Sequence, residues 1–145
     1  MEHDLAVLPH EVAREIRTVI GRLNRRLRAQ AVIGDLTWSQ KVVLLRLEQS
    51  GAATVSTLAR LEGVRSQSMG AVVSGLEAAG LVQGEADPSD GRQTLLSLTP
   101  ACQEMIATGR AAREDWLVRA MQAKLSLEEI EELGRAVRLL GRLAE

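Results

Sequence analysis

Residues 87–100, DPSDGRQTLLSLTP, interrupt a chain that is otherwise rich in helix formers. Asp87, Pro88, Asp90 and Gly91 are turn residues: proline presets φ, glycine frees it, and aspartate accepts hydrogen bonds from nearby backbone N–H groups. Leu95-Leu96-Ser97-Leu98 follows, the right length for a strand and too short for an ordinary helix. Thr99-Pro100 then reads as an N-cap with proline at the first helical position, where its missing N–H costs nothing. A strand leaves the turn, a helix starts at once, and an arginine, Arg92, stands near the tip.

The runs on either side of this turn predict two short strands at about residues 82–85 and 94–98, with a tip from Asp87 to Arg92. Immediately upstream, residues 53–64 read as a short element followed by a two-turn helix from about Val55 to Glu62, stopped by Gly63. Residues 65–82 read as a second helix from about Ser66 to Ala79. Met69, Val72, Val73 and Leu76 are its apolar side, Gly80 its stop and Leu81 the apolar contact after it. Two short helices joined by Gly63-Val64-Arg65 make a helix-turn-helix, and a β-hairpin directly behind it makes a winged helix. Thr37 and Gln40 have capping-box spacing and open a helix to about Gln49, with Val42, Val43, Leu45 and Leu47 expected inside. Residues 9–32 read as a helix with Pro9 at its first position, Gly34-Asp35 after its end and apolar residues at steps of three and four. A long helix is expected from Pro100 to about Lys124. Ser126 and Glu129 form a second capping box, opening a last helix with Ile130, Leu133, Val137, Leu140 and Leu143 on one stripe. The fold class is mainly α with a small β wing: a winged helix-turn-helix lobe at about 37–99, with a helical region at about 9–32 and 100–145 that the family resemblance given below makes the dimerisation region.

Composition narrows the function. The chain has 145 residues, no Tyr or Phe, one cysteine and two histidines, His3 and His10, both near the N-terminus. Nucleophilic catalysis would have to draw on those two histidines, and no phosphate-binding Gly-rich loop or metal-ligand spacing is present. The reading is a non-enzyme with no cofactor and no metal. Lacking an eighteen-residue apolar run and any signal-peptide pattern, the chain is expected to have no membrane partner, and its lone cysteine fits a reducing cytoplasm.

The longer stretch LEAAGLVQGEADPSDGRQTLLSLTP, residues 76–100, resembles the MarR family of bacterial transcription regulators. The helix end, the Gly-Leu-Val, the wing with Asp-Pro-x-Asp-x-Arg and the closing Leu-Thr all fall in register, on Asp87, Pro88, Asp90, Arg92, Leu98 and Thr99. The order of helices over most of the chain resembles the family too. The resemblance implies an obligate homodimer that holds two winged lobes on one DNA duplex and regulates transcription, often under a small effector, commonly an aromatic acid or lipophilic compound. Apolar stripes at both ends of the chain support dimerisation independently, because a short chain left alone would expose them.

On this reading double-stranded DNA is the partner. Arg92 is expected to enter the minor groove, with Asp90 holding its guanidinium by a charge-assisted bond; the alternative is a solvated turn. Arg65, Ser66, Gln67 and Ser68 open the recognition helix, where side chains reach base edges. Arg65 suits guanine and Gln67 adenine. Ser66 reads equally as phosphate contact or plain N-cap. Gly70, Ala71 and Ser74 are small enough to let the helix sit deep. Trp38 reads first as core and second as a wall of an effector pocket, with Arg14 or Arg17 meeting a carboxylate. Cys102, in the first turn of the long helix, reads as a small buried residue, or as a redox site whose pKa the helix dipole lowers. One departure stands out. Residues 54–99 hold three arginines against five acidic residues, a net of −2. Phosphate neutralisation supplies most non-specific affinity, so the rival reading is a winged-helix protein-interaction module with weak or lost DNA binding.

Overall fold

In the computed structural model, residues 2–30 and 36–145 are described. Six helices and a two-stranded antiparallel sheet follow in the order α1 (Glu2–Gln30), α2 (Trp38–Ser50), α3 (Val55–Glu62), α4 (Ser66–Ala78), β1 (Val82–Ala86), β2 (Thr94–Leu98), α5 (Pro100–Lys124) and α6 (Leu127–Leu143). The chain divides into two compact units: Ile33–Thr108, and Met1–Val32 together with Gly109–Glu145.

In the first of these units, local chemistry sets the element ends. Thr37 Oγ1 accepts the Gln40 N–H at 3.2 Å while the Gln40 side chain accepts the Thr37 N–H at 2.9 Å, the reciprocal capping box expected for α2. Thr54 caps α3 through the Thr57 N–H. Both α3 and α4 end on a left-handed glycine, Gly63 at φ 66° and Gly80 at φ 72°. In each case the glycine N–H and the next N–H turn back to two carbonyls of the last turn, Arg60 and Ala59 for α3, Glu77 and Leu76 for α4. Those bonds satisfy carbonyls that a helix end otherwise leaves open.

The hairpin pairs Val82 with Leu98, Gly84 with Leu96 and Ala86 with Thr94. Ala53 bonds the outer edge of β2 through Leu96 in both directions, at 2.8 and 3.0 Å, so the short element before α3 is a one-residue third strand. Leu96 and Leu98, two apart and therefore on the same sheet face, enter the core with Val43, Leu44, Leu47, Leu58, Met69, Val73, Leu76, Leu81, Val82 and Cys102. Helices α3 and α4 pack on each other, and α2 packs on α4 and β2. Arg46 Nε on α2 meets Glu62 Oε1 at the end of α3 at 2.7 Å, a part-exposed pair of modest worth.

Three expectations are corrected. Pro9 lies inside α1, which starts at Glu2; a proline there removes one backbone donor and crowds the carbonyl four residues earlier, so the helix continues past it at a cost. On α2 it is Leu44, not Leu45, that is buried; Leu45 is 52% exposed. The pattern Val42-Val43-Leu44-Leu45 is apolar on all sides, so periodicity could not choose the buried pair. Trp38 is not core: it stands 72% exposed at the first position of α2. The expected end of the first helix, and Gly34-Asp35 after it, lie outside the described residues.

The other unit is built differently. Neither α6 nor α1 from Val7 onward holds a fully buried residue among those described. Val12, Val19, Ile20 and Leu23 on α1 and Leu133, Val137, Leu140 and Leu143 on α6 are exposed large hydrophobics, Leu143 by 78%. α6 still starts with the expected capping box, Ser126 with Glu129. None of the described helices is long and apolar enough to cross a membrane.

Candidate nucleic-acid interface

Helix α4 offers one face to the core and one to solvent. Met69, Val73 and Leu76 are buried, which fixes the rotation of the helix about its axis. Arg65, Ser66, Gln67, Ser68, Ala71 and Ser74 are exposed, and Gly70 is half-buried. Every residue expected to meet the major groove is thus at or near the surface of a single element. The N-cap is Arg65, in extended conformation and without a side-chain cap bond, so Ser66 is the first helical residue and not the cap. That leaves the first N–H groups of α4 without a side-chain acceptor, at the positive end of the helix dipole.

The wing tip is ordered by its aspartates. Asp87 Oδ1 accepts the Ser89 Oγ–H at 2.8 Å and the Ser89 N–H at 2.9 Å. These bonds, the hydroxyl first, hold the Asp87 carboxyl below the ordinary carboxylate range. Asp90 Oδ1 accepts the Arg92 backbone N–H at 3.1 Å, and the Asp90 carbonyl accepts the Gln93 N–H. Asp90 therefore shapes the turn and does not hold the Arg92 guanidinium as expected. Among the described residues no carboxylate lies within ion-pair distance of Arg92, whose side chain is exposed. The reason is local: a turn residue two positions upstream reaches the backbone N–H more readily than a long side chain directed outward.

The hairpin and α4 are tied together at one residue. Thr99 Oγ1 donates to the Gly80 carbonyl at 2.7 Å and accepts the Cys102 N–H at 3.1 Å, while the Thr99 N–H donates to the Leu81 carbonyl at 3.1 Å. One side chain caps α5 and pins the end of α4 to the end of β2. The cap was legible in Thr99-Pro100; the tie to Gly80, nineteen residues away, was not.

Cys102 is fully buried in the core of this unit. Burial, and secondarily the negative charge of Glu48, push its thiol pKa up. The first reading, a small buried residue, agrees with this burial; the alternative of a dipole-lowered pKa is overturned, since loss of solvation outweighs the dipole where water is excluded. On α1, Arg14 and Arg17 are exposed.

Residues 36–94 match the MarR family. A helix-turn-helix-type transcriptional regulator of Mycobacterium leprae is 36% identical over 110 residues, 76% of this chain and 77% of that protein. The chain belongs to the MarR family of transcriptional regulators. Its fold is matched by a crystal structure from Pseudomonas aeruginosa assigned as a transcriptional regulator, 37% identical, with a TM-score of 0.79 over 94% of this chain and 96% of that one. The MarR fold extends to more distant sequences: a mutant of Staphylococcus aureus MepR bound to an oligodeoxyribonucleotide shares it at 18% identity, with a TM-score of 0.69 over 91% of this chain and 97% of that one.

Proposed function

We propose that this MarR-family regulator is a homodimer that binds a pseudo-palindromic operator, with α4 of each copy in the major groove and the wing in the adjacent minor groove. One observation carries the reading. The exposed side of α4, from Arg65 to Ser74, and the unpaired guanidinium of Arg92 are presented by one lobe whose core fixes both elements. Arg65, Ser66, Gln67 and Ser68 supply base and phosphate contacts, Gly70, Ala71 and Ser74 the close fit, and Arg92 the minor-groove charge on a turn that Asp90 sets. The exposed stripes of α1 and α6 supply the dimer contact, and the division into a dimerisation region at about 9–32 and 100–145 and a DNA-binding lobe at about 37–99 belongs to the same proposal. Two-fold symmetry then sets half-sites about 10 bp apart, or a small multiple. A small effector that favours a lobe spacing unable to reach both half-sites would release the DNA; exposed Trp38, with Arg14 and Arg17 for a carboxylate, are the residues proposed to meet it.

A fluorescence titration with duplexes from the intergenic region upstream of the gene tests this reading. Salt-dependent binding weakened at least tenfold by Arg92→Ala supports it, and no binding at 50 mM salt overturns it. The net charge of −2 over residues 54–99 favours one rival, a winged-helix module for protein partners. That rival wins if the dimer forms but no duplex binds.

A further inference from the structure

We propose that the operator preference of this chain is written by one short face, Gln67–Gly70–Ala71, and that each half-site presents to it an adenine for Gln67 and a thymine methyl for Ala71. The inference rests on the DNA-binding reading above and names the sequence that reading leaves open.

Helix α4 has thirteen residues, SQSMGAVVSGLEA, and its only charged residue is Glu77 near the far end. With Met69, Val73 and Leu76 buried, the helical period places Gln67, Ala71, Ser74 and Ala78 within roughly 60° of one another on the exposed side. On that line Gln67 alone carries a side chain long enough to reach a base edge with both a donor and an acceptor. An amide of that kind matches the N6–H donor and N7 acceptor of adenine. Guanine offers two acceptors and is matched by Arg or Lys. α4 has neither, and the nearest cation, Arg65, stands before the helix begins. A guanine read by this lobe therefore falls at the end of the half-site that faces the start of α4, not at its centre. Ala71 lies one turn on, about 6 Å along the axis, which is less than two base-pair steps of about 3.4 Å. Its exposed methyl suits a thymine methyl and no hydrogen-bonding edge.

Gly70 supplies an independent observation. Glycine inside a helix is destabilising relative to alanine, so a helical glycine usually has a packing reason. Gly75 has one, since a Cβ there would meet Gln40 Nε2 at 3.0 Å. Gly70 has none inside the protein: nothing lies within 4 Å of the place its Cβ would take, and its φ is not positive. The fold does not require glycine at 70, as it does not at Gly21, Gly134 and Gly141 on α1 and α6. What sets Gly70 apart is its place beside the Gln67 line, about 60° from Gln67 by the helical period, where the missing side chain lets a base pair come close.

The test uses the full-length chain. Selection from random duplexes gives the preferred half-site, and titrations at one salt concentration then compare base replacements. Replacing the A·T pair opposite Gln67 by G·C costs the wild type about 10- to 100-fold, from the usual penalty for one mismatched pair, and Gln67→Ala less than threefold. Replacing the neighbouring thymine by deoxyuridine, which lacks only the methyl, costs the wild type about three- to fourfold and Ala71→Gly nothing. Gly70→Ala raises the melting temperature by about 2–4 °C yet weakens operator binding at least tenfold. That opposed pair of signs cannot come from misfolding. Guanine selected at the half-site centre, or undiminished A·T preference in Gln67→Ala, overturns this inference and leaves DNA binding standing. No binding to any duplex removes both.

Discussion

Replacing Thr99 by valine keeps the shape of the side chain and removes its hydroxyl. Two bonds go with it: the acceptor for the Cys102 N–H at the start of α5, and the donor to the Gly80 carbonyl at the end of α4. Loss of an N-cap hydroxyl costs about 1 kcal/mol. The Gly80 bond is exposed, so water replaces part of it, and its net loss is about 0.5–1 kcal/mol. The sum, about 1.5–2 kcal/mol, corresponds to a fall in melting temperature of roughly 3–8 °C for a chain of this size. Thermal unfolding followed by circular dichroism, at one fixed protein concentration because a dimer's stability depends on it, measures the shift. Thr99→Ser restores the hydroxyl and should recover most of the loss, whereas a methyl-dependent role would leave serine as poor as valine. The hydroxyl also fixes the end of α4 against the end of β2, so Thr99→Val should weaken operator binding in proportion beyond its effect on stability. A Thr99→Val protein that melts within 1 °C of wild type would show that Thr99 Oγ1 carries no net weight.

Gly84→Lys, which would add a cation to the wing, should destabilise the lobe by about 1–3 kcal/mol, because its Cβ would fall 2.5 Å from Thr94 Cγ2; Gln83→Lys, at an exposed site, should fold normally and steepen the salt dependence of DNA binding by about one phosphate contact. Leu140→Glu on the exposed stripe of α6 should convert the proposed dimer to monomer in analytical ultracentrifugation; a persistent dimer would place the contact elsewhere. The Cys102 thiol should resist a disulfide reagent at pH 8 in the native protein and react at once in denaturant. Because its folded pKa is raised, its contribution to stability is complete below the ordinary thiol pKa and is lost as pH climbs through the folded value. The reverse holds at the wing: the lowered Asp87 pKa means that its turn bonds are intact above the ordinary carboxylate pKa and fail as pH falls through the lowered value. Amide exchange at Ser89 should accelerate there relative to other wing amides, beyond the intrinsic pH trend.

The candidate interface was legible where it depended on neighbours in sequence. The turn at 87–92, the glycine stops at 63 and 80, and the small or polar run from Arg65 to Ser74 needed no knowledge of the rest of the chain. What Asp90 holds was not legible, because a carboxylate beside both a backbone N–H and an arginine side chain can serve either. The state of Cys102 was not legible for a similar reason. Its place in the first turn of a helix argues for a lowered pKa, and only the closure of Val43, Leu76 and Leu96 around the same core reverses that. Ser66 looked like a cap by residue type, while the backbone put the cap one position earlier.

By itself, then, the sequence settled the order of elements, nearly all their ends and the presence of a wing. Those features are decided by bonds spanning a few residues: Thr37 with Gln40, Ser126 with Glu129, Gly80 turning the Leu81 N–H back to Leu76. Tertiary structure alone decided that Leu44 goes inside and Leu45 out, that Ala53 closes the free edge of β2, that Arg46 meets Glu62, and that Thr99 reaches Gly80. The physical reason is that periodicity marks which faces of an element are apolar or polar, whereas the choice among those faces belongs to whatever segment packs there, many residues away along the chain.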